Sequence, residues 1–507
     1  MTEGAEYADI VEGLFNRDSS IFTDDREAQK NIESFLGWLD LPERMRGRTG
    51  ELTAFAEEIR TEVDHVLVLG MGGSSLGAEV LAQLVGSRPG YPAVRTLDSV
   101  VPDAIREVED SIDIGRTLFI IASKSGTTIE PLSLESYFRK RLEARGIEPS
   151  GRMIAITDPG TVLERRGKNG EFRRVFVNWA DVGGRFSVLS CFGLVPAALM
   201  GLDLEAMLRL AEEELENGAK RADNAAGKLG AWLGGHALTG RNEMTLRLSD
   251  DAAAIGLWIE QLVAESTGKE ERGILPIVGE PKAPDPSRYS DDRVFVLIGE
   301  DAEGDSLEKA GLPVFRLALE SGLGVVRQFV VWEVATAVAG AVLRVNPFDQ
   351  PNVEESKILA RKMMSGEMDP SEVLSRETPV DAIVAGVRSA NYIAFLAWDG
   401  GDDETARIVE SLRRDIVDRN GTTTTFGIGP RYLHSTGQYH KGGGEGGVHV
   451  FFVPAIETDI DIPGVGSTFG ELVRAQAAGD IQALEARDRV VYLVCSRHRL
   501  KELRDAI

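Results

Sequence analysis

Two short turns concentrate groups that can bind an anion: GMGGSSLG over residues 70–77 and SKSGTT over residues 123–128. Each follows an apolar run and precedes a helical pattern, so each reads as a strand, a tight turn and a helix N-terminus. Gly70, Gly72 and Gly73 permit close backbone approach. Ser74 and Ser75 bring hydroxyls to a place where free amide N–H groups and the helix dipole favour negative charge. A dinucleotide fingerprint starting at Gly70 would need glycine where Ser75 stands, and no G-x-x-x-x-G-K-[ST] occurs. By itself this turn is equally a tight βα connection without a ligand. The second turn adds Ser123, Lys124, Ser125, Gly126, Thr127 and Thr128, whose four hydroxyls, one ammonium and backbone amides can surround a phosphate monoester. Alone it also reads as an N-cap cluster. Two such turns on neighbouring strand ends predict one small phosphate site at the carboxyl edge of a parallel sheet.

Other reactive groups are scattered. Gln261 and Glu265 stand four residues apart in a helical pattern that begins near Ser249, so both project from one face. By residue type alone Glu265 reads as a solvated helix-end acid, and Arg185, within GGRFS, as a turn arginine. LHSTGQYHKGGGEGG, residues 433–447, sets His434 and His440, two of only six histidines, beside a glycine run that reads as a flexible or tightly turned loop. Both histidines also fit as hydrogen-bonded loop residues. A metal site built on His440 and His449 lacks recognisable further ligands.

Positioning these groups requires a scaffold. Apolar, β-branched runs at 65–71, 96–99, 117–123, 152–157 and 173–179 alternate with helical patterns, which predicts α/β architecture with a mainly parallel sheet covered on both faces. Residues 1–60 read as a helical N-terminal segment, 61–236 as a first subdomain carrying both phosphate turns and ending in helices from about 187, and 237–507 as a second α/β subdomain. The second set of strand-like runs is EMTLRL, RVFVLIGE, LPVFRLAL, TTTTFGIG, GGVHVFFVP and RVVYLVCS. No short repeat or low-complexity tract interrupts the pattern.

Composition narrows the ligand. With 507 residues, 43% hydrophobic and 27% charged, the chain has room for two or three cores. Its formal charge of -25 repels nucleic-acid backbones and anionic lipid over most of the surface, so any bound anion must be held by local geometry. Two cysteines, Cys191 and Cys495, without metal-ligand spacing suit unpaired thiols in a reducing compartment. No signal peptide or uninterrupted apolar span is recognised, and a cytoplasmic enzyme without membrane or nucleic-acid partners is expected.

Six segments together resemble the sugar isomerase domain family, and within it the glucose-6-phosphate isomerases. They are GMGGSSLG (70–77), ASKSGTT (122–128), VGGRFSVLSCFGL (182–194), QLVAESTGK (261–269), NPFDQPNVEESK (346–357) and LHSTGQ (433–438), and they span most of the chain. SKSGTT alone indicates only a phosphosugar domain; GGRFS, ESTGK and FDQ-x-x-VE-x-x-K in combination are more specific. The whole is most similar to the isomerase half of bacterial transaldolase fusion enzymes, although no length remains here for a transaldolase barrel of roughly 250 residues.

The resemblance implies two three-layer α/β/α subdomains and interconversion of glucose 6-phosphate and fructose 6-phosphate through an enediol, without metal or redox cofactor. Acceptance of mannose 6-phosphate, and a non-catalytic sugar-phosphate sensor, are the alternatives. It implies Glu265 as the base that moves a proton between C1 and C2, Arg185 as the cation opposite the enediolate, and Lys357 with His434 as the ring-opening pair, His440 being the rival histidine. Gly73, Ser74, Ser123, Lys124, Ser125, Thr128, Gln261 and Gln350 are implied as substrate contacts. In the family a glycine stands where this chain has Asn352, and the histidine precedes the lysine, whereas His434 follows Lys357 here. A rearranged C-terminal part with the site preserved in space is therefore expected. The family's histidine comes from a second subunit, which implies a homodimer.

Overall fold

The computed structural model describes residues 7–220, 224–299 and 303–507. Three parallel sheets organise it. The first contains β1 (His65–Gly70), β2 (Ala93–Leu97), β3 (Thr117–Ala122), β4 (Met153–Thr157) and β5 (Arg174–Val177), in the order β2-β1-β3-β4-β5. Every residue of β3 and β4 is buried, which explains why their sequences run apolar rather than alternating. Gly70 lies opposite Ala122 in the register, so the turns at 70–77 and 123–128 leave the same sheet edge from neighbouring strands.

Strands after residue 237 divide between two further sheets. One holds β6 (Glu243–Leu248), β7 (Leu275–Ile277), β8 (Arg293–Ile298) and β9 (Val314–Leu317), in the order β7-β6-β8-β9. The other draws on β10 (Tyr392–Ala397), β11 (Thr423–Ile428) and β12 (Gly447–Phe452). After the short antiparallel pair β13 (Asp461–Ile462) and β14 (Ser467–Thr468), β15 (Val490–Val494) completes it in the order β11-β10-β12-β15. Neither β7 nor β10 stands out in the sequence, because a three-residue run and a short alanine-containing apolar run fit a buried helix as well as a strand.

A polar seam joins these last two sheets. Glu243 on β6 accepts from the Thr423 hydroxyl on β11. Glu280 pairs with Arg293 on β8 and accepts the Thr424 amide at 2.8 Å. Arg413 donates to the Thr424 carbonyl at 3.1 Å and the Val278 carbonyl at 3.3 Å. All of these side chains are buried and most of their polar atoms pair within the protein, although Arg293 Nε has no hydrogen-bond partner.

Helices cover the sheets. The N-terminal segment folds as helices Ala8–Phe15, Arg26–Glu33, Leu41–Arg46 and Thr49–Ile59 against the first core. The helix in Gly322–Leu343 is long and apolar enough to cross a membrane by length and composition, but it is packed inside the protein. Its residues Val326, Phe329, Trp332 and Ala335 are buried in that same core. The glycine run after His440 is a turn, not a free loop: Arg489 donates to the carbonyls of Gly443 at 2.7 Å and Gly444 at 3.1 Å. Cys191 is buried and unpaired, and Cys495 is half-buried and unpaired.

Candidate active site

The turn at Gly72–Ser74 is wedged among three other segments. Gly72 adopts φ +54°, and a Cβ there would stand 2.6 Å from Gln261 Nε2 and 2.9 Å from the His434 carbonyl. A Cβ on Gly73 would collide with the Gly184 carbonyl and lie 2.7 Å from the Arg185 amide nitrogen. Glycine is therefore required at 72 for backbone conformation and at 73 for close approach. Ser74 is buried in the turn, and Ser75 donates to the Gly72 carbonyl at 3.3 Å.

The second turn is internally braced. Ser123 Oγ contacts Thr128 Oγ1 at 3.0 Å and accepts the Gly126 amide at 3.1 Å, while Ser125 Oγ contacts Thr127 Oγ1 at 3.0 Å. Lys124 pairs with Asp158 and donates to the Ala180 carbonyl at 3.3 Å, so its ammonium is engaged at the end of β4. Gly126, at φ +67°, lets the chain turn back toward the helix Ile129–Glu143.

Glu265 lies beside the first turn. Its helix, Ile255–Thr267, follows a short turn at Asp250–Ala252 and so begins later than the pattern near Ser249 suggests. Gln261 donates to Glu265 Oε2 at 3.1 Å from one turn earlier. Arg185 Nη1 is 3.7 Å from the same oxygen, and both charged side chains are at most 5% exposed. The guanidinium is fixed by Ser266 Oγ at 2.7 Å, the carbonyls of Pro347 and Asp349 at 2.7 Å each, and Gln350 Oε1 at 3.3 Å. Burial pulls Arg185 below its ordinary value, against the raising effect of Glu265 and Asp349. It stays charged, because a guanidinium starts so far above neutral pH. Lys269 holds the same FDQ loop through Asp349 Oδ1 at 2.6 Å. Burial, reinforced by Arg185, lowers Lys269 to about 8.

His434 comes from the far end of the chain, on the turn Arg431–His434 that follows β11. Its Nε2 is 3.0 Å from Glu130 Oε1, and Gln476 donates to the same oxygen at 2.7 Å. Burial alone would raise the Glu130 carboxyl, but the charge and hydrogen bond of His434 hold it below the ordinary carboxylate range, helped by the backbone amide and Gln476. A cavity of about 490 Å³ opens beside this pair, with Ser125, Thr127, Thr128, Lys357, His434 and Lys441 in its wall. Lys357, on the helix Val353–Met364, and His434 thus face one space although the chain presents them in reversed order. Asn352 is not in a left-handed conformation, at φ -86°. Its amide donates to Gln438 Oε1 at 3.0 Å and ties the FDQPN loop to LHSTGQ.

His440 occupies a different setting. It is buried against Tyr392, Tyr432 and His449, with the His449 ring centroid 5.0 Å away. Burial and His449 drive it well below an ordinary histidine. Among the described residues no group of three His, Cys, Asp or Glu could hold a metal ion.

Glu130, Gln476, Lys441 and Ser266 carry no signal in the sequence. An acid in the first turn of a helix is favourable to the dipole anyway, so nothing in TTIEP marks Glu130 as the partner of a histidine three hundred positions later.

With this geometry in place, residues 16–270 match the family model described as phosphoglucose isomerase. A glucose-6-phosphate isomerase of Thermus thermophilus is 30% identical over 390 residues, covering 66% of this chain and 91% of the relative. One from Rippkaea orientalis is 27% identical, covering 71% and 75%. Among solved structures, a hypothetical protein of Thermus thermophilus superposes with TM-score 0.61 at 25% identity, over 71% of this chain and 96% of that one. A glucose-6-phosphate isomerase of Chlamydia trachomatis shares the fold, with TM-score 0.56 at 18% identity over 75% and 87%.

Proposed function

This chain belongs to the phosphoglucose isomerase family, and from that premise we propose that it interconverts glucose 6-phosphate and fructose 6-phosphate through a cis-enediol with Glu265 as the base. The observation that carries this reading is the placement of Glu265. It is buried, aligned by Gln261 and faced by Arg185, immediately beside the first phosphate turn.

In this reading the phosphate sits among the hydroxyls of Ser125, Thr127 and Thr128 in the cavity wall, with Ser123 bracing the loop. Lys124 serves the loop through Asp158 rather than as a free cation. Ring opening breaks the C1–O5 bond of glucose 6-phosphate: one of His434 and Lys357 takes the O1 proton while the other delivers a proton to O5. Glu130 keeps the imidazole oriented for that transfer. Glu265 then removes the C2 proton as electron density moves onto O1, the O2 hydroxyl proton passes to O1, and Glu265 delivers a proton to C1 as O2 becomes the ketone oxygen. Arg185 stabilises the enediolate electrostatically without protonating it, and Gln350, which accepts from Arg185, is the proposed contact to the sugar.

The test is Glu265→Gln, assayed by coupled conversion of fructose 6-phosphate and by calorimetric binding. Turnover is expected to fall by about 10³-fold or more, with sugar-phosphate affinity retained. Undiminished turnover would remove Glu265 from the chemistry. Wild-type binding without turnover would instead favour a sensor.

A further inference from the structure

The ring-opening groups arrive from segments far apart in sequence, and one buried carboxylate touches the support of both. Asp480, 1% exposed on the helix Phe469–Glu485, receives three donors from three different elements. Lys441 Nζ approaches Oδ1 at 2.5 Å, Ser356 Oγ donates to the same oxygen at 3.0 Å, and Tyr432 OH donates to Oδ2 at 2.7 Å. Ser356 immediately precedes Lys357. Tyr432 lies two residues before His434 on the same short turn. Lys441 follows on the next helix, Gly437–Gly442, and lines the cavity with both reactive groups. One turn before Asp480, Gln476 fixes Glu130, the partner of His434.

Burying an ammonium and a carboxylate with two hydroxyl partners is not the cheapest way to fill a core, since well-packed apolar side chains of similar volume are often neutral or more stable. What apolar groups cannot supply is direction. A carboxylate that accepts from three elements fixes their relative placement along its lone pairs, and a catalytic group displaced by about 1 Å loses about 10²-fold in rate. We propose that Asp480 is the positioning residue of the ring-opening pair: it sets the spacing of His434 and Lys357 across the cavity through Tyr432 and Ser356. The inference rests on the assignment of those two residues to ring opening. It assigns Asp480 no contact with the sugar and no part in proton transfer at C1 and C2, because Glu265, Gln261 and Arg185 are held by other partners.

That separation supplies the test. Fructose 6-phosphate is largely a furanose closed through O5, whereas 5-deoxyfructose 6-phosphate lacks that oxygen and remains open. Exchange of the C1 hydrogen with D2O, followed by proton NMR, reports enolisation for both compounds. Asp480→Asn is expected to slow exchange of fructose 6-phosphate by about 10²-fold while leaving the open compound within about threefold of wild type. Tyr432→Phe, which removes one donor and keeps the buried ion pair, is expected to show the same selectivity to a smaller degree. It carries the test if Asp480→Asn does not fold. Equal losses on the two compounds, or no loss on either, would overturn the positioning role. Wild-type protein that fails to exchange even the open compound would point elsewhere, to the assignment of Glu265 as base.

Discussion

At the scale of single residues, the site depends on charges that keep their form when buried. Arg185 is nearly inaccessible, faces Glu265 at 3.7 Å and is held at every nitrogen. A lysine in its place would lose the planar fork that reaches Ser266, Pro347, Asp349 and Gln350 together. It would also be depressed by burial, as Lys269 nearby is to about 8, and so become able to release a proton onto the enediolate. Arg185→Lys is therefore expected to reduce kcat by about 10²-fold, the typical loss for one electrostatic donor. KM for fructose 6-phosphate should change little, because the proposed phosphate contacts lie elsewhere. Steady-state kinetics separates the two: a raised KM at unchanged kcat would assign the arginine to ground-state binding.

At the scale of elements, close contacts between turns place these residues, and Gly73 is the clearest case. Its Cα lies against Gly184 and Arg185, so a methyl group would force the turn at Gly72–Ser74 away from the turn that carries Arg185, the proposed cation. Gly73→Ala is expected to lower kcat/KM by about 10²-fold through that misplacement alone, while the far-ultraviolet circular dichroism spectrum stays that of the wild type. A variant with unimpaired kcat/KM would show that the two turns move independently. The strands that bear these turns are legible in the sequence because β1 and β3 are apolar after their first residue and lead into glycine and hydroxyl residues, a local pattern. The partnership of His434 with Glu130 is not, since it depends on how the third sheet docks, and sequence periodicity carries no information about docking. Resemblance singles out Lys357 and His434, but only the folded chain brings their side chains to one cavity. Asp480 looks like any acid in an amphipathic helix, and its meaning lies in three partners drawn from other segments.

At the scale of the whole molecule, the second and third sheets must stay in register if the C-terminal part is to deliver His434, and the seam that joins them is sensitive to pH. Burial pushes Glu243 up from 4.5 to about 8, with Arg293 opposing the shift. The folded state therefore keeps a proton that the unfolded chain sheds above about 4.5. Between those values the unfolded chain binds fewer protons than the folded one, so the stability associated with this carboxyl is complete below 4.5 and is lost as pH rises toward and through 8. A neutral amide of the same shape should remove that dependence while still accepting from Thr423. Glu243→Gln is expected to match the wild-type Tm at pH 5 and to exceed it at pH 9. Discounted for relaxation around the site, the gap corresponds to about 2 kcal/mol, or roughly 2 °C at an unfolding entropy of about 2.1 cal/mol/K per residue. Melting curves at the two pH values decide the matter. A Tm difference between variant and wild type that is the same at both pH values would mean that the seam carries its charge without penalty, and that Arg293 rather than a retained proton neutralises Glu243.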